Sequence, residues 1–227
     1  MLNVRKLSKT YASASRASGR AVLRELDLDI AAGEYVAIMG ESGIGKSTLL
    51  NLIAGLDTPD SGTITLAGTE VNALDDHRRT LLRRHDIGFV FQAFHLLPRL
   101  TVAQNIALPL SLLGHRHDEA LERAQQMIER LGLTEWALEL PRALSSGQLQ
   151  RAAIGRALVH HPRLVLADEP TGNLDPENAV AVLELLKSEI AATGAAGILV
   201  THSHAAAATT GRVLEMTATG LHPAPVS

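Results

Sequence analysis

The sequence predicts an α/β fold in which a mostly parallel core sheet carries a small antiparallel β lobe and an inserted helical lobe. Three observations predict it. Apolar runs such as residues 87–91 and 163–167 have the continuous hydrophobicity of buried parallel strands. Residues 2–7 and 22–30 instead alternate apolar and polar side chains, as half-exposed strands do. From residue 100 to about 160 the apolar spacing is helical, and no strand candidate interrupts it.

The length of 227 residues suits one large domain, and 46% hydrophobic residues are enough to bury a sizeable core. We therefore predict a single domain over residues 1–227. About 1–92 and about 161–227 would form the α/β core with its β lobe, and about 93–160 would form the helical lobe.

Composition argues against several functions. The formal net charge is −3 and aromatic residues are few, so we expect no nucleic-acid partner. The absence of cysteine excludes disulfides and thiolate metal sites. The first residues alternate like a strand rather than forming an apolar signal segment, and no window reaches about 18 uninterrupted apolar residues. These features predict a cytoplasmic protein whose membrane role, if any, comes through a partner.

The segment with the clearest chemistry follows the apolar run at residues 35–39. It fits the phosphate-loop pattern G-x-x-x-x-G-K-[ST], and a helical stretch follows at once. Glycines let the backbone curl with its N–H groups inward, and the helix N-terminus adds partial positive charge, so a polyphosphate would be held there. The loop consists of Gly40, Glu41, Ser42, Gly43, Ile44, Gly45, Lys46, Ser47 and Thr48.

Three side chains of this loop have predicted contacts. Lys46 would sit among the β- and γ-phosphate oxygens. Ser47 would supply its hydroxyl to a Mg²⁺ ion that bridges those phosphates, and Thr48 would add a contact to phosphate oxygen. We therefore predict that the loop binds a nucleoside triphosphate.

Two adjacent carboxylates, Asp168 and Glu169, follow the apolar run at residues 163–167. In a chain with a phosphate loop, such a pair suits Mg²⁺-dependent hydrolysis, since one can hold the metal through its water and the other can activate the attacking water. His202 closes the apolar run at residues 197–200, at the edge where ligands bind in open α/β sheets. These residues predict hydrolysis of the bound nucleotide.

Two further candidates are ambiguous from the residues alone. Ser145 and Ser146 stand at the start of a helical stretch, where they could serve as a helix cap or could form a second anion-binding helix N-terminus. Tyr11 precedes a Ser/Ala/Gly/Arg segment, residues 11–20, that we predict to be a loop. On these grounds Tyr11 is more simply a strand-end aromatic than a site residue.

Six motifs together resemble the ATP-binding-cassette (ABC) ATPases, and the resemblance covers nearly the whole chain. They come in family order and at family-like spacings: the phosphate loop, Gln92, the LSSGQ signature at residues 144–148, the LVLADEP strand at residues 164–170, Asn173-Leu174-Asp175 and His202. The resemblance implies a P-loop NTPase of the ABC cassette fold that binds and hydrolyses ATP with Mg²⁺.

The resemblance also implies a role for each motif. Asp168 would bind Mg²⁺ through water, and Glu169 would be the general base. His202 would contact the γ-phosphate, whereas Gln92 would reach both the metal and the attacking water. Tyr11 stands where the family stacks an aromatic ring on adenine. The signature would act in trans, on the ATP of a second subunit, through Ser145, Ser146, Gly147 and Gln148.

Within the family, residues 40–57, 87–110 and 166–175 look like the subgroup that includes the lipoprotein-releasing and macrolide-exporter ATPases. The implied function is that of an ATP-hydrolysing subunit that energises a separate membrane permease, for lipoprotein release or export. Its implied partners are a second copy of itself and the permease. It would lie peripherally on the cytoplasmic face of the inner membrane.

Two alternatives remain open at this point. The same ATPase cycle could drive a mechanotransmission complex of the cell-division type, which moves no substrate. A soluble cassette acting on nucleic acid or ribosomes would instead need a second cassette, a long coiled coil or a zinc hook, and the sequence contains none of these.

Three positions depart from the family pattern. Ser146 stands where the signature normally has its first glycine, Gln104 where the subgroup usually has Glu, and Ser203 where Asp commonly follows the histidine. If the backbone at Ser146 has φ > 0, its side chain would cost about 1–2 kcal/mol. A positive φ at Ser146 would therefore mean a strained signature backbone.

Overall fold

Residues 1–13 and 16–224 are described by the structure, which is a computed structural model. The chain divides into two compact units, Met1–Arg83 with Ala196–Ser227 and Arg84–Ala195. The division into α/β core and helical lobe at about residues 92 and 161 stays a prediction.

Over the described residues, ten strands and seven α-helices follow one another along the chain. In order they are β1 (Leu2–Ser13), β2 (Arg16–Ile30), β3 (Tyr35–Met39), α1 (Lys46–Ile53), β4 (Ser61–Leu66), β5 (Thr69–Glu70), α2 (Asp76–Asp86), β6 (Ile87–Phe91), α3 (Val102–Leu112), α4 (His117–Arg130), α5 (Ser146–Leu158), β7 (Leu164–Asp168), α6 (Pro176–Thr193), β8 (Ala196–Val200), α7 (His204–Ala207), β9 (Arg212–Thr217) and β10 (Gly220–Pro223).

The predicted β lobe is an antiparallel sheet of the first unit, in the strand order β2-β1-β4-β5. The alternation seen in the sequence places Leu2, Val4, Leu28 and Ile30 on its buried face. The loop predicted for residues 11–20 is wrong for its described part, because β1 runs to Ser13 and β2 starts at Arg16. Ladder pairing of Tyr11 with Arg20 extends the hairpin there, so tertiary context overrides the weak strand propensity of this segment. Residues 14 and 15 of the predicted loop lie outside the described residues.

The first unit also contains four neighbouring strands in the order β10-β9-β3-β8, of which β9, β3 and β8 are parallel. The central strand, β3, pairs parallel with both β8 and β9, and every residue of β3 and β8 is buried. This explains why the two strands are continuous apolar runs. The hairpin of β9 and β10, which are antiparallel, is not among the predicted strands.

The second unit contains the predicted helices and one parallel strand pair, β6 with β7. Helix α3 opens with a capping box, in which Thr101 accepts from the Gln104 N–H and Gln104 accepts from the Thr101 N–H. Because glutamine serves in this box as glutamate does, the departure at Gln104 keeps its structural role. Helix α6 opens on the cap Asp175 and ends at Gly194, whose φ is +67°. Within the described part of the chain, no helix has the length and apolarity needed to cross a membrane.

The close approach of β6 to α5 yields a test of this packing. A Cβ on Gly88 would lie 2.2 Å from the carbonyl oxygen of Ala157. Because that oxygen belongs to helix backbone, we expect Gly88→Ala to lower the free energy of unfolding by about 1–3 kcal/mol in urea titrations. Gly211→Ala is the matched control, since its Cβ would be 3.7 Å from the nearest atom, the Tyr35 carbonyl oxygen. Equal urea midpoints for the two variants would contradict the packing.

Candidate functional site

The phosphate loop joins β3 to α1, and its three glycines all have positive φ. The angles are +148° at Gly40, +77° at Gly43 and +118° at Gly45. A Cβ would lie 2.6 Å from the Met216 carbonyl oxygen at Gly40 and 2.6 Å from the Val22 side chain at Gly45. Glycine is therefore required at these two positions by both backbone conformation and space.

Lys46 begins α1 with its side chain turned back over the loop. Its Nζ donates to the carbonyl oxygens of Gly40, at 2.7 Å, and Glu41, at 2.9 Å. The side chain is buried, whereas the next residue, Ser47, is exposed and Thr48 is half-buried. The positive ammonium group thus lies within the loop, next to the helix N-terminus whose first N–H groups have no intrahelical acceptor.

Tyr11 is held by a cluster of polar side chains that the sequence interpretation missed. Its hydroxyl donates to Asp57 Oδ2 at 2.7 Å, and Lys9 Nζ lies 5.0 Å from the centre of its ring. Lys9 in turn donates to Asp57 Oδ1 at 2.8 Å and to the Thr58 carbonyl oxygen at 2.6 Å. The ring is 40% exposed although its hydroxyl is tied down. This arrangement offers a fixed aromatic surface.

The same contacts shift the ionisation of both partners. Partial burial works against ionisation of Asp57, but hydrogen bonds from Lys9, Tyr11 and the Thr58 N–H outweigh it and lower the pKa of that carboxyl. Burial and the bond to Asp57 raise the pKa of Tyr11, although a hydrogen bond with Thr48 acts in the opposite direction. Asp57 is therefore the anion of this cluster and Tyr11 its neutral donor.

Arg20 is a second residue near the loop that the sequence interpretation did not single out. Its guanidinium donates to the carbonyl oxygen of Gly43 at 2.9 Å. The signal that could have found it is the antiparallel register, because Arg20 pairs with Tyr11 across the hairpin.

His202 follows β8 within the first unit, as the strand pattern predicted. A cleft of about 1190 Å³ is lined by His202 together with Gly40 and Glu41 of the phosphate loop. The neighbouring Ser203 caps α7 by accepting from the Ala206 N–H at 3.3 Å. Serine is a good N-cap, so the departure from Asp at this position keeps a cap at the start of α7.

The second unit brings Gln92 and the two adjacent carboxylates to one edge of its strand pair. In the parallel register Phe91 pairs with Asp168, so Gln92 and Glu169 are the next residues along the two strands. Asn173 ties this edge together, since it accepts from Gln92 Nε2 at 3.3 Å and donates to the Gln92 carbonyl oxygen at 2.9 Å.

Glu169 has φ = +46°, which is unusual for a residue with a side chain. Its carbonyl oxygen accepts from the Gly172 N–H at 3.0 Å, closing a tight turn after β7. Backbone strain of this kind costs about 1–3 kcal/mol and is concentrated at functional positions. Six other non-glycine residues of the described chain also have positive φ, so this conformation sets the backbone at Glu169 but does not by itself single out the carboxylate.

The signature segment begins α5 with a second capping box. Ser145 accepts from the Gln148 N–H at 3.4 Å, and the Gln148 side chain accepts from the Ser145 N–H at 2.8 Å. The interpretation of Ser145 as a helix cap is thus correct. Its contact with the ATP of a second subunit stays a prediction. Gly147 is buried, and a Cβ there would lie 2.6 Å from Asn178 Oδ1.

The condition for strain at Ser146 is not met. Ser146 is the first residue of α5 and is not among the non-glycine residues with positive φ. A serine side chain is compatible with this helical backbone. The strain considered for Ser146 from the sequence is therefore absent.

A phosphate loop between a buried parallel strand and a helix defines the class of P-loop nucleotide-binding proteins. Residues 23–172 of the chain match the family described as ABC transporter. The chain belongs to this family, and it is an ATP-binding and ATP-hydrolysing subunit of an ABC transporter.

Three relatives of known sequence are similar to this chain over most of its length. The ABC transporter ATP-binding protein YknY of Bacillus subtilis (strain 168) is 46% identical over 193 residues, which are 85% of this chain and 84% of that protein. The lipoprotein-releasing system ATP-binding protein LolD of Maricaulis maris (strain MCS10) is 42% identical over 94% of this chain and 93% of that protein. The macrolide export protein MacB of Rhodopseudomonas palustris (strain BisB18) is 46% identical, over 86% of this chain and 30% of that protein.

Solved structures of the ATP-binding cassette MJ0796 have the same fold. A dimeric, post-hydrolysis state of MJ0796 bound to ADP and Pi has a TM-score of 0.88 to this chain. The sequences are 36% identical, and the match covers 98% of this chain and 97% of the other. The predicted α/β cassette fold and the predicted subgroup are confirmed.

The Asp57 cluster yields a pH-dependent prediction. Because the pKa of Asp57 is lowered in the folded state, its contribution to stability is present above the ordinary aspartate pKa of about 4 and is lost as the pH falls through the lowered value. Asp57→Asn should lower the free energy of unfolding by about 1 kcal/mol near neutral pH, and this deficit should shrink in acid. Urea titrations at about pH 7 and about pH 3 would measure it.

The control for this experiment is Glu70→Gln, which removes one exposed carboxylate from β5. We expect it to leave the unfolding free energy within about 0.5 kcal/mol of wild type at neutral pH. A deficit for Asp57→Asn that stays constant or grows towards acid pH would contradict the assigned cluster.

Proposed function

We propose that this ABC ATPase subunit drives lipoprotein release or export through a separate membrane permease. The observation that carries the proposal is similarity over nearly the full length of the lipoprotein-releasing ATP-binding proteins, at 42% identity to the protein of Maricaulis maris. The 46% identity to the cassette of a macrolide exporter supports the same subgroup. The subunit would lie on the cytoplasmic face of the inner membrane, held there by the permease.

ATP is proposed to bind over the phosphate loop of the first unit. The Lys46 Nζ donates to the Gly40 carbonyl oxygen at 2.7 Å. On binding ATP it would instead donate to phosphate oxygens. Adenine would stack on the ring of Tyr11, which is half exposed and anchored through Asp57. Ser42 and Gly43, at the exposed turn of the loop, would present backbone N–H groups to the phosphates.

Mg²⁺ is the metal that the available donors fit. Ser47 offers an exposed hydroxyl, Asp168 a carboxylate at the end of β7 and Gln92 an amide oxygen, and hard oxygen ligands of this kind suit Mg²⁺. When bound, the ion would neutralise charge on the β- and γ-phosphate oxygens. Ser47, Gln92 and Asp168 are proposed to hold it.

Glu169 is proposed as the general base for the attacking water. Its positive φ and the turn that follows it fix the direction in which the carboxylate leaves the strand. Gln92 would orient the water, because its amide is restrained by Asn173. His202, which follows β8, would contact the γ-phosphate.

The catalytic form is proposed to be a homodimer in which the signature of one subunit contacts the ATP of the other. Ser145, Ser146, Gly147 and Gln148 stand at the N-terminus of α5, where helix dipole and N–H groups favour an anion. The solved structures of MJ0796 are dimeric, which supports a dimer of this chain.

Glu169→Gln tests the base and the dimer together. The amide keeps the shape of the side chain but cannot take a proton from water, so hydrolysis should fall by about 10²–10⁴-fold. ATP binding should survive, because the phosphate loop is untouched. The variant with Mg²⁺ and ATP should therefore elute as a dimer in light-scattering chromatography and revert when nucleotide is removed.

Glu184→Gln, which alters an exposed carboxylate of α6, is the control and should behave as wild type. Unchanged turnover in Glu169→Gln would contradict the proposed base. A monomer at all nucleotide concentrations would contradict the proposed dimer.

Reconstitution tests the transport assignment. The permease would first be identified by co-purification with this subunit from native membranes. Vesicles that contain the complex and a lipidated protein should release that protein with ATP, and the Glu169→Gln complex should not. A complex that hydrolyses ATP at full rate and releases nothing would favour mechanotransmission instead.

A further inference from the structure

The signature glycine of this chain is packed against a neighbouring side chain of its own subunit. Gly147 is buried, and the three heavy atoms nearest to a Cβ built on it all belong to Asn178. The distances are 2.6 Å to Oδ1, 3.0 Å to Cγ and 3.4 Å to Cβ of Asn178. A side chain at position 147 therefore requires the Asn178 amide to move, because Oδ1 is too close and Cγ is tight, whereas the Asn178 Cβ is at ordinary contact distance.

The Asn178 amide cannot easily turn away from Gly147, because Asp175 holds it. Asp175 Oδ1 accepts from the Asn178 backbone N–H at 3.0 Å, and Asp175 Oδ2 accepts from Asn178 Nδ2 at 2.7 Å. These bonds lower the pKa of Asp175, so the carboxylate stays charged and the bonds stay charge-assisted. With Nδ2 directed at Asp175, Oδ1 is left on the side of Gly147.

We propose that Asn178 is a positioning residue for the signature, which sets where the first turn of α5 lies by direct contact with Gly147. The proposal rests on the proposed function, in which this turn acts on the ATP of a second subunit. Glycine is then required at position 147 because of this contact within the subunit, rather than because of the space that a nucleotide needs.

The segment that carries Asn178 also carries the residue that restrains Gln92. Asn173 exchanges two hydrogen bonds with Gln92, and Asp175 lies between it and Asn178. Asn173, which contacts Gln92, and Asn178, which contacts Gly147, are thus only five positions apart in the sequence. A shift of this short segment would move both, so the position of Gln92 and the position of the signature are linked within one subunit.

Rescue of one substitution by another tests the contact. Gly147→Ala should displace the turn and lower kcat by about 10–100-fold, with KM for ATP little changed because the phosphate loop is intact. Adding Asn178→Ala removes Oδ1 and Nδ2 but keeps the Cβ, which leaves room for the alanine at 147. Gly147→Ala/Asn178→Ala should then recover kcat to within about threefold of Asn178→Ala alone.

Controls separate rescue from general effects. Gly147→Ala/Glu177→Ala changes an exposed residue of the same turn of α6 and should show no recovery. Asn178→Ser, with a shorter polar side chain, is the second rescuer if Asn178→Ala proves unstable. Thermal unfolding of each variant would show that the protein is folded.

Gly147→Ala and Gly147→Ala/Asn178→Ala are then each combined with Glu169→Gln. Their oligomeric states are compared by light-scattering chromatography with Mg²⁺ and ATP. Gly147→Ala should abolish the ATP-dependent dimer, and added Asn178→Ala should restore it. If Glu169→Gln forms the dimer but neither rescuer restores kcat or dimer to the Gly147→Ala protein, the positioning role is overturned. If Glu169→Gln forms no dimer while kcat is still rescued, the positioning contact stands and the proposed action in trans fails.

Discussion

Parallel pairing of buried strands is the constraint on which the candidate site residues of each unit depend. Strands that run in the same direction end at the same edge, so the loops that follow them emerge side by side. In the first unit, β3 and β8 deliver the phosphate loop and His202 to one edge. In the second, β6 and β7 deliver Gln92 and the Asp168-Glu169 pair to one edge. Within each unit, parallel pairing therefore brings residues that are far apart in sequence to one edge.

The phosphate loop is held by neighbours that carry no recognisable motif. Gly40 fits against the carbonyl oxygen of Met216 in β9, and Gly45 against Val22 in β2. Close packing of this kind has few alternative arrangements, so the loop is shaped before any ligand arrives. Pre-ordering reduces the entropy that binding would otherwise cost. The unpredicted β9 strand thus bears directly on the shape of the loop.

The sequence predicts most of the fold because the core strands are uninterrupted apolar runs and the helices have clear periodicity. It also predicts the residues at strand ends, since these follow from the same runs. It misses Lys9, Asp57 and Asn178, because each acts through a partner whose proximity only the folded chain creates. Lys9 and Asp57 are 48 positions apart in the sequence, and no local pattern encodes their contact. For the missed hairpin of β9 and β10, by contrast, the sequence did carry a signal. The buried residues Leu214 and Met216 occupy alternate positions, as in a half-buried strand.

The departures from the family pattern show what local structure tolerates. Gln104 and Ser203 keep the hydrogen bonds of a helix start, and Ser146 occupies a helical backbone that accepts a side chain. Among the site residues it is Glu169, with φ = +46°, that has the positive φ which strains a residue with a side chain. A strain of about 1–3 kcal/mol is a sizeable part of the stability of a domain, so it persists only where surrounding contacts determine the conformation. The Gly172 N–H bond to the Glu169 carbonyl and the paired amides of Gln92 and Asn173 supply those contacts. Gly172, which bonds to the Glu169 carbonyl, and Asn173, which bonds to Gln92, are consecutive residues, so one short segment restrains both the backbone of the proposed base and the amide proposed to orient the water.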